Sequence, residues 1–361
     1  MVRVNVPIPG RAYDVVVGSG ILAEAAEHLP PFPQAATVFV ITDAGAARYF
    51  EPLAAALGSG GLEPVQLTVP AGEQAKSLQV YGTLLHQLAT QEAHRDDVVM
   101  GLGGGAIGDL AGFVASTYMR GVPFVQAPTT LTAQVDAAIG GKTAVNLPEG
   151  KNLVGTFAQP LAVLADVDTL ATLPERDYRS GLAEVAKYAL TLDLELLAQL
   201  EADPGPVLRR DANALVPLVG RCATAKASTV ARDERDAGAR LILNYGHTLG
   251  HALERLDAFS GRSHGEAIAV GMVFAARLAE VRGLAEAGLG ARTVRLLSSL
   301  GLETDGPLPR ASDIMAAFQL DKKFRGDVRF VLLEAPGRPR VVDGVPAPQV
   351  IEVLEQMGAK A

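Results

Sequence analysis

The chain has 361 residues, 48% of them hydrophobic and 20% charged, which is typical of a well-packed globular protein and excludes a disordered one. A formal net charge of −8 argues against nucleic acid as a partner, because phosphate binding requires a basic surface. The single cysteine, Cys222, excludes an intramolecular disulfide, and the lack of a signal-peptide or membrane-length apolar run predicts a cytoplasmic protein with no membrane partner.

The first half of the chain alternates short β-branched runs with segments rich in alanine and leucine. The predicted strands are "DVVVGS", "TVFVITD", "PVQLTV", "DVVMGLGGG", "FVQAPTT" and "LAVLADV". The predicted helices between them are "ILAEAAEHL", "AARYFEPLAAALG" and "SLQVYGTLLHQLATQ". This alternation predicts an α/β domain with a mostly parallel, Rossmann-like sheet, whose ligands would bind at the carboxyl ends of the strands.

Beyond about residue 180 the pattern becomes mainly helical, with one late hairpin around "PGR" and a short final helix. We therefore expect two domains, an α/β domain over residues 1–175 and a mainly α-helical domain over residues 176–361. Two-domain enzymes commonly bind their substrates where the domains meet. The active site is accordingly expected in a cleft between the two.

A glycine-rich stretch, "VVMGLGGGAIGDLAGFVA" at residues 98–115, reads as a strand, a turn and the start of a helix. Gly101, Gly103 and Ala106 match the dinucleotide-binding spacing G-x-G-x-x-A, in which glycines admit a pyrophosphate at the helix N-terminus. The motif alone is weak, since it lies outside the first βα unit and no acidic residue follows about 20 positions later. A tight strand–helix turn without a ligand is the structural alternative.

Polar side chains follow several of the predicted strands. Asp43 ends a strand, where its carboxylate could accept bonds from ribose, and "VPAGEQAKS" contains Glu73 and Lys76. We interpret residues 127–155 as an unusual surface loop in which Lys142 and Lys151 each follow a glycine. Each lysine could reach a site from a flexible backbone, although a solvated, charge-balanced loop is the alternative.

Three of the six histidines fall close together, His247 and His251 in "NYGHTLGHALE" and His264 soon after. Spacing of four on a helix puts two side chains on one face, which suits a metal pair, an acid–base pair or two unrelated residues. Glu184 and Lys187 are three apart in an apolar helix and either form a surface ion pair or face a cleft. Two histidines with Glu184 could hold a catalytic metal, and buried structural histidines are the alternative.

Taken together, these segments resemble the 3-dehydroquinate synthase family, whose relatives form the wider sugar phosphate cyclase group. The matching segments occur in the family's order between about residues 40 and 330: "GEQAKS", "GLGGGAIGDLAGFVASTYMRG", "APTTLTAQVDAAIGGKTAVN", "GKNLVGTF", "TLPERDYRSGLAEVAKYAL", "LNYGHTLGHALE", "SHGEAIAVGM" and "DKK". The resemblance implies conversion of 3-deoxy-D-arabino-heptulosonate 7-phosphate, a small anionic substrate, into 3-dehydroquinate and phosphate. It also implies NAD, one divalent zinc or cobalt ion, and a homodimer.

The resemblance further assigns roles to individual residues. It assigns the metal to Glu184, His247 and His264. It assigns catalytic roles to Lys142, Asn152, Lys187, Arg240, Asn244 and His251. It assigns substrate binding to Arg120 (from a neighbouring subunit), Asp136, Lys226, Lys322 and Lys323. It assigns NAD binding to Asp43, Glu73, Lys76, Gly104, Gly105, Asp109, Thr129, Thr130, Asp136, Lys142, Lys151, Thr172 and Leu173.

Two departures from the family pattern and three alternatives accompany this resemblance. The residues after Asp43 read "AGAAR" where the family often has Asn and Lys, and Asp177 stands where Glu is common. A related cyclase could act on a substrate without a carboxylate, such as sedoheptulose 7-phosphate. A metal-dependent polyol dehydrogenase would release NADH, and a nucleotide-binding module would have purely structural histidines.

Overall fold

The computed structural model describes residues 1–32, 37–236, 238–257, 261–319 and 328–360, which form two compact units. Unit 1 contains Met1–Leu173 and Arg210–Arg235, and unit 2 contains Pro174–Arg209 and Asp236–Ala361. The sequence predicts a boundary at residue 175, with everything beyond it in the helical domain. The structure instead groups Arg210–Arg235 with unit 1, where Gly220 packs against the side chain of Val2.

Unit 1 contains nine of the strands in the described residues. They are β1 (Val2–Val6), β2 (Tyr13–Gly18), β3 (Thr37–Asp43), β4 (Glu63–Val69), β5 (Val98–Gly103), β6 (Phe124–Pro128), β7 (Lys142–Leu147), β8 (Gly150–Phe157) and β9 (Ala162–Asp166). Seven form one sheet in the order β1-β2-β9-β6-β5-β3-β4, with only β1 antiparallel to its neighbour. The expected fold class, a mostly parallel α/β domain with a mainly helical C-terminal region, is confirmed.

Helices account for most of the remaining regular structure in the described chain. They are α1 (Ala25–His28), α2 (Phe50–Ser59), α3 (Leu78–Thr90), α4 (Gly105–Thr117), α5 (Glu175–Thr191), α6 (Leu194–Ala202), α7 (Gly205–Leu208), α8 (Ala212–Arg232), α9 (His247–Leu256), α10 (His264–Val281), α11 (Leu289–Ser299), α12 (Ala311–Gln319) and α13 (Ala347–Gln356). Helices α1–α4 and α8 belong to unit 1, and the others belong to unit 2.

The main sheet is buried on both faces, as a parallel sheet requires. Along β3, Phe39 and Ile41 pack into one apolar cluster together with residues of α3 and α4. Val38 and Val40, whose side chains point the opposite way, pack into a second cluster with residues of α2. This double covering leaves the ends of the strands as the places where polar side chains can gather.

The interpretation of residues 127–155 as a loop is wrong for its second half, which lies in a β-hairpin formed by β7 and β8. Strands β7 and β8 pair antiparallel, with Lys142 opposite Phe157 and Val145 opposite Val154. Thr143 and Val145 are buried, and the hydroxyl of Thr143 bonds to that of Thr156 across the pair at 2.8 Å. Lys142 and Lys151 therefore project from a paired backbone rather than from a flexible one.

In unit 2, α9 and α10 pack closely enough to require glycine. A Cβ at Gly271 would lie 1.9 Å from the carbonyl oxygen of Gly246, which itself has φ of 79° and directly precedes α9. The hairpin β10 (Phe330–Ala335) and β11 (Arg338–Val342) completes this unit. Among the described residues, no helix combines the length and apolarity that crossing a membrane requires.

Candidate active site

Unit 2 brings the three expected metal ligands together. Glu184 lies on α5, His247 is the first residue of α9, and His264 is the first residue of α10. The Nε2 atoms of His264 and His247 lie 3.1 Å and 3.4 Å from Oε1 of Glu184. One ligand atom from each residue falls within 4.8 Å of the other two. Glu184 is 1% exposed, so its carboxylate is held away from bulk water.

The charges around Glu184 favour its ionised form. Burial would raise the pKa of Glu184, but Lys187 and hydrogen bonds from the two histidines hold it well below its usual range. The Nζ atom of Lys187 lies 2.5 Å from Oε2 of Glu184. Burial lowers the pKa of His247, which favours the neutral imidazole that a metal needs.

His264 has a second acidic neighbour. Its Nδ1 lies 3.2 Å from Oε2 of Glu254, while the Nδ1 of His247 lies 3.1 Å from the carbonyl oxygen of Tyr245. Burial lowers the pKa of His264, but Glu184 and Glu254 outweigh that effect and raise it to about 10. Such outer partners orient the imidazoles that bind metals. Glu254 was missed in the sequence, although it lies on α9, seven residues after His247.

The donor set fits a catalytic divalent metal. Two imidazoles and one carboxylate are a common protein ligand set for catalytic zinc, leaving a coordination position for substrate. The same set also suits cobalt. His251 is outside this set, with its ring centroid 5.3 Å from that of His247 and 6.3 Å from that of His264. His251 is exposed and close enough to act on a molecule held at the cluster.

In unit 1 the glycine-rich turn joins β5 to α4. Gly104 is the N-cap of α4 in extended conformation, and a Cβ there would lie 3.1 Å from the methyl group of Thr130. A Cβ at Gly105 would lie 3.2 Å from that of Ala137. The backbone of Thr129 donates to the carbonyl oxygen of Gly103. The turn therefore needs small residues for packing, and it also presents a helix N-terminus suited to a pyrophosphate.

A polar network connects four residues expected at the site. Lys76 Nζ lies 2.6 Å from Oδ2 of Asp109 and 2.5 Å from Oδ1 of Asn152. Burial raises the pKa of Asp109, and Lys76 opposes that shift. Asn146, which was missed in the sequence, accepts a bond from the backbone of Asn152 at 2.8 Å and donates to Glu73 at 3.1 Å. The pairing of β7 with β8 places Asn146 beside Asn152, a contact that neither segment's sequence reveals.

Other expected residues of unit 1 lie as follows. Lys151 Nζ is 3.6 Å from the carboxylate of Glu73. Asp136 lies in the π-helical turn Ala133–Ala137 and forms an ion pair with Lys226 of α8. Lys142 begins β7 with an exposed side chain, and Arg120 is exposed after α4 with φ of 68°.

Three residues expected to contact NAD form hydrogen bonds with other residues of unit 1. Oδ1 of Asp43 accepts bonds from the backbone of Gly45 and of the following alanine, and so shapes the turn after β3. The hydroxyl of Thr172 bonds to that of Tyr49 at 2.5 Å, and the backbone of Leu173 donates to Leu170. A role in NAD binding for these residues stays a prediction.

The remaining expected residues belong to unit 2. Arg240 and Asn244 lie in the short 3-10 segment Ala239–Asn244 that leads towards α9. Arg240 is 2% exposed, and Asn244 is half-buried. Lys322 and Lys323 lie outside the described residues.

Fold and site together define a class, an α/β enzyme with a helical unit in which one glutamate and two histidines are placed to hold a metal. Family models described as the N-terminal and C-terminal parts of 3-dehydroquinate synthase match residues 66–180 and 181–324. A 3-dehydroquinate synthase of Geobacter metallireducens is 43% identical over 98% of this chain and 99% of its own length. One of Desulforamulus reducens is 42% identical over 99% and 100%. The chain belongs to the 3-dehydroquinate synthase family, which confirms the resemblance.

Solved structures show the same fold. A 2-deoxy-scyllo-inosose synthase complexed with carbaglucose-6-phosphate, NAD+ and Co2+ is similar with a TM-score of 0.90 and 28% identity, over 99% of this chain and 100% of that one. The 2-epi-5-epi-valiolone synthase of Streptomyces hygroscopicus, with NAD+ and Zn2+, has a TM-score of 0.87 and 30% identity, over 96% of each chain. A probable glycerol dehydrogenase of Sinorhizobium meliloti, at 17% identity and TM-score 0.64, shares the fold alone.

Proposed function

We propose that this chain is an NAD- and metal-dependent phosphate-eliminating lyase that converts 3-deoxy-D-arabino-heptulosonate 7-phosphate into 3-dehydroquinate and phosphate. The observation that carries the proposal is 43% identity to a 3-dehydroquinate synthase over nearly the whole length of both chains. The cluster of Glu184, His247 and His264 supports the metal requirement. The product places the enzyme in the shikimate pathway to aromatic amino acids. Because its lone cysteine is compatible with a reducing compartment, we propose that it works in the cytoplasm.

Bound NAD would accept a hydride from the substrate and return it, while the bound metal would polarise the oxygen being oxidised. Glu184, His247 and His264 would hold the metal. NAD would lie over the glycine-rich turn of unit 1, with Lys76, Asp109 and Lys151 among the surrounding residues.

The chain's own side chains would bind the substrate and transfer protons. We assign the substrate phosphate to Lys142, Asn152 and His251, with His251 placed to transfer a proton there. Arg240 and Lys226 would bind the substrate carboxylate, and a substrate with two anionic groups needs several such cations. The remaining assignments are substrate contacts by Asp136, Lys187, Asn244, Lys322 and Lys323.

The proposed hydride cycle, in which NAD would accept a hydride from the substrate and return it, can be tested directly. Phosphate release should require NAD, yet absorbance at the NADH band should stay flat through many turnovers, because the hydride returns to the molecule it left. Phosphate and NADH can be followed in the same cuvette with the seven-carbon keto acid phosphate as substrate. One NADH formed per turnover would instead indicate a polyol dehydrogenase and contradict the proposal.

A second candidate is a cyclase for a sugar phosphate without a carboxylate. The observation that favours it is the structural similarity to the 2-deoxy-scyllo-inosose synthase. The TM-score is 0.90, and the similarity covers nearly the whole of both chains. Sequence identity favours the first candidate, because it is 28% to that enzyme and 43% to the 3-dehydroquinate synthase of Geobacter metallireducens. Competition between the two kinds of substrate distinguishes these candidates.

We also propose that the enzyme is a homodimer in which Arg120 reaches the neighbouring subunit's active site. Arg120 is exposed beside Met119, and unit 1 also exposes the large apolar side chains of Leu153, Phe157 and Leu161. Where such side chains form one contiguous patch, they are typical of a surface that another chain covers.

Mixing two inactive variants tests this arrangement. Arg120→Ala and Lys142→Ala homodimers should each be nearly inactive, whereas their mixed dimers should regain one working site out of two. After random exchange of subunits, activity should recover to about a quarter of the unmodified level. No recovery after verified exchange would show that Arg120 acts within its own subunit.

A further inference from the structure

Three residues of α5 contact the start of α10, and they are spaced one helical turn apart. Arg176 binds the carboxylate of Glu266 with Nε and Nη2, at 2.9 Å and 2.7 Å. Ser180 Oγ accepts a bond from the backbone of Gly265 at 2.8 Å. One turn later, Glu184 meets Nε2 of His264. Residues four apart share a helix face, so one face of α5 contacts three consecutive residues of α10.

The first turn of α10 is closed by a capping box that includes the same glutamate. Ser263 Oγ accepts a bond from the backbone of Glu266, and the Glu266 carboxylate accepts one from the backbone of Ser263 at 2.7 Å. Arg176 therefore binds the group that closes the helix end. Nη2 of Arg176 also donates to the carbonyl oxygen of Gly261 at 2.6 Å, just before the cap.

Close backbone contact reinforces these bonds. A Cβ at Gly265 would lie 2.3 Å from both the Cα and the carbonyl oxygen of Ser180, so only glycine lets the two helices meet there. His264 directly precedes Gly265 and is the first residue of α10. First turns of helices fray easily, because their backbone N–H groups lack partners within the helix. The position of the His264 imidazole thus depends on what fixes this turn.

We propose that Arg176, acting through Glu266, and Ser180 are positioning residues for the metal site, and that they set its affinity by holding His264 opposite Glu184. This inference rests on the metal site of the proposed function. Arg176 and Glu266 are 57% and 34% exposed in their side chains, so their ion pair adds little to global stability. Its effect falls on the local geometry at His264 instead.

The chain offers a matched control. Arg292 of α11 binds Glu201 of α6 in the same two-bond manner, at 2.7 Å and 2.8 Å, with side-chain exposures of 42% and 30%. Neither residue contacts the metal cluster in the described structure. Arg292→Gln therefore removes an equivalent ion pair in the same unit without disturbing the first turn of α10.

The experiment measures Zn2+ affinity by competition with a chromophoric chelator, together with the visible spectrum of the Co2+ form. Arg176→Gln, Glu266→Gln and Ser180→Ala should each weaken metal binding by about tenfold, as is typical for residues behind metal ligands, and should change the Co2+ bands. The Arg176/Glu266 double variant should lose little more than either single variant. Arg292→Gln should match the unmodified protein in both measurements.

The outcomes separate this inference from the proposed function. If His247→Ala abolishes metal binding while Arg176→Gln, Glu266→Gln and Ser180→Ala bind as tightly as the unmodified protein, the positioning role is wrong and the metal site stands. Equal weakening in Arg292→Gln also overturns the positioning role, since any lost ion pair would then suffice. If the unmodified protein binds neither Zn2+ nor Co2+, the proposed metal site is wrong, and the inference that depends on it is wrong as well.

Discussion

Replacing His247 with alanine is expected to remove the divalent metal and to lower kcat by at least about 10³, since a Lewis acid contributes several kcal/mol to such a transition state. The imidazole supplies one of three ligand atoms that lie within 4.8 Å of one another. The fold should survive, because Glu184 keeps its contacts with Lys187 and His264. Metal content after gel filtration, measured alongside phosphate release, provides the check.

His251→Ala is the matched control for that experiment. The two histidines lie one turn apart on α9, with ring centroids separated by 5.3 Å, but only His247 has a nitrogen beside Glu184. His251→Ala should therefore keep its metal while losing activity through its proposed proton transfer at the phosphate. Equal metal loss in both variants would contradict this division of roles.

The sequence predicted the main sheet because the residues that form it repeat a simple pattern. Residues such as Val38 to Ile41 are buried on alternate faces, and a continuous β-branched run is what a sheet covered on both sides requires. The hairpin β7–β8 was missed because its residues mix glycine, asparagine and lysine. Its buried run, Thr143 to Val145, is only three residues long and lacks the longer β-branched pattern of the main sheet.

The place of α8 could not be predicted from its own sequence. An amphipathic helix reveals which of its faces is apolar, but not which core covers that face. Here Gly220 packs against Val2, near the start of the chain, and Lys226 binds Asp136. Contacts between residues so distant in sequence leave no signal in either segment alone.

The three candidate metal ligands were assigned through family resemblance, because spacing alone left the roles of His247 and His251 open. His247 and His251 are four apart on one helix, whereas the three residues whose ligand atoms lie within 4.8 Å of one another come from three helices. Glu254 and Asn146 were missed for the same reason. Each is an ordinary residue in its own element and gains a role only when the fold brings it to His264 or Glu73.

Substrate choice should depend strongly on Arg240. We expect the unmodified enzyme to prefer the keto acid phosphate over sedoheptulose 7-phosphate by at least about 10³ in kcat/KM, on the order of 4 kcal/mol. Arg240 is 2% exposed and Lys226 is 5% exposed, so both cations are held away from bulk water. In the proposed function they bind the substrate carboxylate, and a substrate without that group would lose these charge-assisted contacts.

Arg240→Ala should narrow this preference mainly by slowing the acid substrate, because the variant loses a guanidinium that can bind a carboxylate through two bonds. The measurement is kcat/KM for both substrates, in the unmodified enzyme and in the variant. Arg292→Ala serves as the control, since Arg292 is a surface arginine paired with Glu201 and should change both values slightly and equally. If the unmodified enzyme turned over the two substrates equally well, the proposal that Arg240 selects the substrate with a carboxylate would be wrong. The second candidate, a cyclase for a sugar phosphate without a carboxylate, would then replace the first.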